Sequence, residues 1–220
     1  MLSLISYLKG KTPLNIHLKG DRTLKMENTH SKFIHYAQAI KFKKQVKHVL
    51  GNNELFLQVT DEKTAPSVIL DGQEYKLLQF HFHSPSEHLL ENEQYALEIH
   101  FLHQSANSEL SVVSLLFTLD KHNEAMQLVI DLVRNDREDD ETLIAPANLL
   151  LPEKLSAFRY NGSLTAPPYS ENVKWVVFST TSTISPAQLE AMRKLNLLNT
   201  SRDEEDIKNR TLSAATHGSK

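Results

Sequence analysis

Between Leu14 and about Thr118 the chain alternates short runs of apolar or β-branched residues with turn-forming ones. Residues recurring at every second position line one face of an extended strand, so Glu54 to Val59, Tyr75 to His83, Tyr95 to His103 and Leu110 to Thr118 are predicted strands. Asp71-Gly72 and Glu91-Asn92-Glu93 stand between such runs and suit tight connections, which makes the neighbouring strands antiparallel partners. Further on the period changes. Met126, Val129, Ile130 and Val133 fall at i, i+3, i+4 and i+7, one face of a helix. Ser185-Pro186, with Gln188 three residues after the serine, is a capping-box pattern with proline at the first helical position, and predicts a second helix. The stretch between the helices reads as long and irregular, with a strand near Val173 to Ser179, and no repeat or linker divides it. The pattern is that of a mainly β, α+β protein with consecutive sheet strands and a few helices.

Composition narrows the function. With 220 residues, 40% of them hydrophobic, the chain can bury a substantial core, and residues 1–220 are read as a single domain. A formal charge of −3 supplies no broad basic field for neutralising phosphates, which argues against a nucleic-acid partner. No cysteine is present, so disulfides, thiolate metal sites and cysteine nucleophiles are excluded, and any metal must be held by nitrogen and oxygen. No apolar run approaches the roughly 18 residues of a membrane span, and Met1 to Lys9 lacks the charged-then-apolar order of a signal peptide. As written the chain is expected to be soluble and cytoplasmic, without a membrane partner. The acid-rich segments Asn135 to Glu141 and Arg202 to Asp206 lack the glycine and ligand spacing of a calcium loop and read as solvated loops. His17, His30, His35, His48, His122 and His217 are scattered singly and read as surface or incidental positions.

Two histidines are different. On a strand running from Leu77 to His83, His81 and His83 share one face while Phe80 and Phe82 project from the other into a core. The following strand carries His100 and His103, whose odd spacing puts them on opposite faces, so only one can join the pair. Polar residues two places earlier favour His100: Gln79 precedes His81 and Glu98 precedes His100, and a metal-bound histidine usually donates its other N–H to such a group. Three neutral imidazoles without a thiolate suit Zn2+ with one coordination position left for water, as in a catalytic site.

Two more segments join this set. Ser86-Glu87-His88 follows the first histidine strand directly, and Gly162-Ser163-Leu164-Thr165-Ala166-Pro167-Pro168 lies about 80 residues on. Together these residues resemble the α-class carbonic anhydrases of bacterial type, whose hallmark reads Q-F-H-F-H, S-E-H, E-x-H-x-x-H and later G-S-L-T-T-P-P. The likeness covers roughly Lys11 to Arg210, with flanking matches at Lys11-Thr12-Pro13-Leu14-Asn15-Ile16, Asp71-Gly72, Leu151-Pro152 and Val173-x-Trp175. It implies the α-carbonic anhydrase fold, a large, mostly antiparallel central sheet with peripheral helices, and reversible hydration of carbon dioxide to bicarbonate by zinc-bound hydroxide. His81, His83 and His100 would be the metal ligands. Thr165 would donate its proton to Glu87 and accept a hydrogen bond from the hydroxide, turning the nucleophile's lone pair toward the substrate. Leu102, Val112, Leu164, Ala166, Val173 and Trp175 would line the substrate pocket. Sulfonamide or anion inhibitors are expected on the same resemblance, which also admits a homodimer, and family habit suggests a periplasmic or secreted protein where a leader is removed.

The resemblance has gaps. Leu55, flanked by Glu54, stands where many members carry a proton-shuttling histidine, so no shuttle is evident. Ala166 replaces the second threonine of T-T-P-P, and Tyr169 stands where many bacterial members have cysteine. Arg202-Asp203-Glu204-Glu205 replaces an R-P-x-Q-P stretch, and the aromatic segment usual ahead of Lys11 is essentially absent. These departures keep a rival expectation alive, a carbonic anhydrase-like zinc protein that binds without efficient turnover, while the intact histidines with Glu87 and Thr165 point to the enzyme.

Overall fold

The structure is a computed structural model and describes residues 12, 15–16, 31–34, 39–49, 52–63, 65–134, 143–146, 155–199, 201 and 213–217. Its first strands are β1 (Asn15–Ile16), β2 (Ser31–Ile34), β3 (Ala39–Val49), β4 (Asn52–Val59), β5 (Ser67–Leu70) and β6 (Gln73–His83). Then follow β7 (Leu89–Leu90), β8 (Glu93–Gln94), β9 (Leu97–Ser105), β10 (Leu110–Leu119) and helix α1 (Glu124–Arg134). The remainder is β11 (Leu143–Pro146), β12 (Leu155–Ser163), β13 (Glu171–Phe178), β14 (Ser182–Ile184), helix α2 (Pro186–Lys194), β15 (Leu198–Asn199) and β16 (Ser213–His217). One large sheet runs in the order β11-β3-β4-β6-β9-β10-β13-β12-β16, with β5, β2, β14 and β15 joined at its flanks. Most pairings are antiparallel, as expected from the sequence; β10 with β13 and β14, and β15 with β6, are parallel.

Alternation along each strand divides the sheet's contacts into two apolar clusters. On one face Phe42, Leu55, Leu57, Phe80, Phe82, Ile99, Phe101 and Leu115 pack with Met126, Val129, Ile130 and Val133 of α1 and Leu189 and Met192 of α2. The predicted i, i+3, i+4, i+7 face of α1 is therefore the face it buries. The start of α2 has the reciprocal cap read from its sequence: the Ser185 hydroxyl accepts from the Gln188 N–H at 3.3 Å, and the Gln188 carboxamide takes the Ser185 N–H at 3.2 Å. The other face carries a second cluster of Ile16, Leu90, Val112, Leu116, Phe158, Tyr160, Val173, Trp175 and Val177, beside the histidines.

Turn chemistry sets the hairpins. Asp71 and Gly72 have φ of 53° and 80°, the doubly positive pair of a type I′ turn, and they close β5 onto β6. The same carboxylate is gripped by both guanidinium arms of Arg159 at 2.9 and 2.6 Å, which holds the Asp71 carboxyl below its usual range. Glu91 and Asn92, with φ of 54° and 63°, close the small β7–β8 hairpin, while β6 and β9 pair across that excursion. The stretch between the helices is less irregular than its sequence suggests, because β11 and β12 lie in it. β12 hides its strand character by ending in Asn161-Gly162-Ser163, a turn-like tripeptide that here stays in the ladder. The acidic segments 135–141 and 202–206, the segment 1–11, Leu151-Pro152 and Arg210 lie outside the described residues, as do His17, His30 and His35. No helix among the described residues is long and apolar enough to cross a membrane.

His103 follows Leu97, Ile99 and Phe101 onto the helix-side face, where all four are fully buried. Backbone hydrogen bonds with Phe101 and Ser111 hold the ring, yet burial dominates and pulls its pKa down to about 3. An unfolded histidine protonates near 6.5, so between those values the unfolded chain binds a proton that the folded one refuses. The contribution is complete above 6.5 and disappears as pH falls toward about 3. Urea denaturation should therefore show stability dropping by a few kcal/mol over that window, and His103→Gln should lose part of the slope; a slope unchanged in the variant would refute the assignment.

Candidate metal centre

β6 and β9 lie side by side with His81 opposite His100 and His83 opposite Glu98. That register brings three imidazoles together: one nitrogen each from His81, His83 and His100 lies within 4.8 Å of the others. Their rings sit 4.9–5.2 Å apart, edge-on or tilted, so nitrogens rather than ring faces converge. His81 Nδ1 donates to Gln79 Oε1 at 2.9 Å, which leaves Nε2 as its lone-pair donor. His100 Nε2 donates to Glu98 Oε1 at 2.7 Å, which leaves Nδ1. Gln79 and Glu98 thus each hold the histidine two places on, and each contact selects the tautomer whose lone pair faces the cluster. Surrounding protein penalises the charged form of His81 and, with the charges of His83 and His100, holds its pKa well below the ordinary value. Burial likewise lowers His100, against the pull of Glu98. Neutral imidazoles with inward lone pairs are a donor set that fits a divalent zinc ion with three protein ligands.

Behind the triad lies a network that the sequence did not disclose. Glu98 is fully buried and accepts from the backbone N–H groups of Glu87 and His88 on Oε2, both at 2.8 Å. Its Oε1 accepts from His88 Nδ1 and His100 Nε2, both at 2.7 Å, and from the Ser114 hydroxyl. Burial alone would raise the carboxyl's pKa, but His88 and His100 outweigh it and keep Glu98 well below the carboxylate range, an anion satisfied by donors. His88 Nε2 is 2.7 Å from the Tyr160 hydroxyl, which in turn is 3.4 Å from Thr12 Oγ1. Thr12 accepts from the Ser163 N–H at 3.1 Å, and Trp175 Nε1 donates to the Ser163 carbonyl at 2.9 Å. His88, Tyr160, Ser114 and Thr12 are far apart in sequence; the Ser86-Glu87-His88 motif and the Lys11 to Ile16 match include His88 and Thr12 without linking either to Glu98. His88, Glu98 and His100 also form a compact three-donor group, but hydrogen bonds within it already engage those atoms.

The remaining predicted residues fall around the cluster. Leu102, Val112 and Trp175 stand abreast on β9, β10 and β13. With Val173 and Leu164 they belong to the histidine-side apolar cluster, and the Trp175 ring centre is 5.0 Å from that of His100. Glu87 Oε2 lies 3.6 Å from His83 Nε2 and 3.8 Å from His100 Nδ1, so the carboxylate leans toward the imidazoles. Thr165 and Ala166 are half-buried in the loop after β12, which is closed by Leu164 N–H to Ser170 O and Tyr169 N–H to Ala166 O, both 2.9 Å. The Leu55 side chain packs in the helix-side core with Leu57, because β4 pairs with β6 at Leu57–Phe80 and Gln58–Gln79. The same parity turns Phe56 toward the triad, with its ring centre 5.2 Å from that of His81.

Residues 9–214 match the family model of the eukaryotic-type carbonic anhydrases. The chain is 30% identical over 156 residues to alpha carbonic anhydrase 3 of Arabidopsis thaliana, covering 68% of this chain and 55% of that protein. It is also 30% identical over 171 residues to dioscorin DB3L of Dioscorea polystachya, covering 74% of this chain and 63% of that protein. The chain therefore spans little more than half the length of these curated relatives. The solved α-carbonic anhydrase of Thermovibrio ammonificans, in complex with the inhibitor sulfanilamide, superposes with a TM-score of 0.76 at 27% identity, over 94% of this chain and 88% of that one. A match of this extent, on a fold that places the hallmark histidines together, makes the chain a member of the eukaryotic-type carbonic anhydrase family.

Proposed function

We propose that this protein is a zinc-dependent carbonate dehydratase that reversibly hydrates carbon dioxide to bicarbonate. The observation that carries the reading is the convergence of His81, His83 and His100 nitrogens within 4.8 Å, two of them oriented by Gln79 and Glu98. Zinc held there would act as a Lewis acid that acidifies water; in carbonic anhydrase itself, the best-known case of this chemistry, the pKa of that water is about 7. The chain's own residues supply orientation and exclusion. Leu102, Val112, Leu164, Val173 and Trp175 offer an apolar wall beside the ligands, which suits a substrate without charge and keeps competing water from that side. In this reading Thr165 donates its O–H hydrogen bond to Glu87, so that its oxygen can only accept from the attacking group, and it thereby orients that group. Ala166 leaves the loop one hydroxyl poorer for binding the bicarbonate product. Sulfonamides would act as inhibitors; the Thermovibrio ammonificans enzyme is solved in complex with the inhibitor sulfanilamide.

A second reading is a zinc-binding module with little turnover. The approach of Glu87 Oε2 to His83 Nε2 and His100 Nδ1, at 3.6 and 3.8 Å, favours it. Stopped-flow carbon dioxide hydration with and without a sulfonamide separates the two: sulfonamide-sensitive hydration supports the enzyme, and zinc binding without hydration supports the module.

The ligand assignment predicts that His100→Ala releases zinc to a competing chelator far more readily than the roughly 10- to 100-fold expected for loss of an outer-shell partner, whereas His103→Ala retains it. Equal retention by both variants contradicts the triad. β4 presents Phe56 and Gln58 to the site, neither of which carries a titratable proton, so turnover at saturating substrate should rise with imidazole-type buffer concentration. Insensitivity to buffer would mean that another group moves the proton. A Cβ at Gly162 would run into Thr12 Oγ1 and Tyr160 Cε2 and press on Trp175 Cδ1, so Gly162→Ala should cost about 1–3 kcal/mol in denaturant unfolding. An unaltered midpoint would show that this packing yields freely.

A further inference from the structure

β6 changes phase in its middle. Tyr75 and Leu77 are buried on the helix side, and so are Phe80 and Phe82, although an uninterrupted strand would send odd and even positions to opposite faces. The switch occurs at Leu78, where the register against β9 passes from Leu77 opposite His103 to Gln79 opposite Leu102. One extra residue is accommodated there, a β-bulge. Without it His81 and His83 would share the parity of Tyr75 and Leu77 and point into the core, so the metal face exists because the bulge is kept.

On its other edge β6 changes neighbours at the same place. β5 pairs with Gln73 to Lys76, and β4 takes over at Gln79 and Phe80. Across this seam the Leu77 N–H donates to the Pro66 carbonyl at 2.7 Å, and the Leu78 carbonyl accepts from Gln58 Nε2 at 2.8 Å. A side-chain amide thus stands in for the backbone partner that a bulge forfeits. Gln58 is itself the ladder partner of Gln79, whose Oε1 takes the His81 Nδ1 proton at 2.9 Å.

We propose that Gln58 is a positioning residue for the metal centre: its carboxamide pins the Leu78 bulge and thereby the placement of Gln79 and the tautomer of His81. The inference rests on reading the triad as a metal site, but its action on His81 precedes any metal. Gln58→Met keeps the length of the side chain and deletes the donor. Leu57→Val, which thins the opposite face of β4, serves as a control for loss of stability alone.

Ring nitrogen NMR on the metal-free full chain should show the Nδ1–H form of His81 dominant in the wild type and Leu57→Val, and mixed tautomers in Gln58→Met. Chelator competition should show zinc held roughly tenfold more weakly by Gln58→Met than by the wild type, the size expected of an outer-shell partner. An unchanged His81 tautomer in Gln58→Met, or the same change in Leu57→Val, overturns the inference. Should Gln58→Met not fold, the wild type decides: a scalar coupling from Gln58 Nε2 to the Leu78 carbonyl carbon supports the bond, and its absence overturns the proposal. A wild type that binds no zinc while its His81 and Gln58 signals behave as expected would overturn the metal reading and leave the role of Gln58 upheld.

Discussion

A carboxylate with no access to water has to find every hydrogen bond it needs inside the protein, and Glu98 is the group around which this side of the molecule is arranged. Two backbone N–H groups from the loop after β6, two imidazoles and a serine hydroxyl converge on its two oxygens. Each donor comes with a piece of the fold attached: Glu87 and His88 with the loop, His100 with β9, Ser114 with β10. Removing the anion would leave several buried donors unmatched at once, and removing one donor would leave a buried charge underpaired. The geometry of His100 is therefore a consequence of satisfying Glu98. The chain of contacts from His88 through Tyr160 and Thr12 to the Ser163 N–H carries the same constraint to the start of the Thr165 loop.

The two faces of the sheet divide the work. The helix-side face is almost wholly apolar and supplies most of the burial, with phenylalanines of β6 and β9 packed under the helices. His103 shows what that environment does to an imidazole, suppressing its charge by burial that its backbone partners do not offset. The other face mixes apolar wall with ligating and hydrogen-bonding groups, so burial holds the pKa values of His81 and His100 down while amide and carboxylate partners fix their tautomers. Neutrality with a defined tautomer is the condition an imidazole must meet to offer a lone pair to a cation.

Much of this could be read from local pattern. Period-two alternation identified the strands that carry the histidines, the helical spacing of Met126, Val129, Ile130 and Val133 marked the face that α1 buries, and Ser185-Pro186 with Gln188 located the cap of α2. The pairing of Gln79 with His81 and Glu98 with His100 was also accessible, because a two-residue offset on a strand puts both side chains on one face. Less accessible was β12, whose Asn161-Gly162-Ser163 end looks like a turn until Gly162 is seen to be required by the close approach of Thr12 and Tyr160. The burial of Leu55 on the helix side was not legible either, since a sequence alignment sets positions along a strand but not which neighbour it meets.

The sequence by itself determined which residues could act as a unit over short distances: strand faces, helix faces, caps, and a histidine pair with its outer partner. Those depend on backbone geometry that repeats every two or every 3.6 residues and needs no knowledge of what lies opposite. Tertiary structure alone decided that the phase of β6 breaks at Leu78, that Phe56 rather than Leu55 turns toward the triad, and that Ser114, Tyr160 and Thr12 join the Glu98 network. Each of those outcomes depends on long-range pairing between strands and on the need of buried polar groups for partners, and neither leaves a periodic trace in the chain.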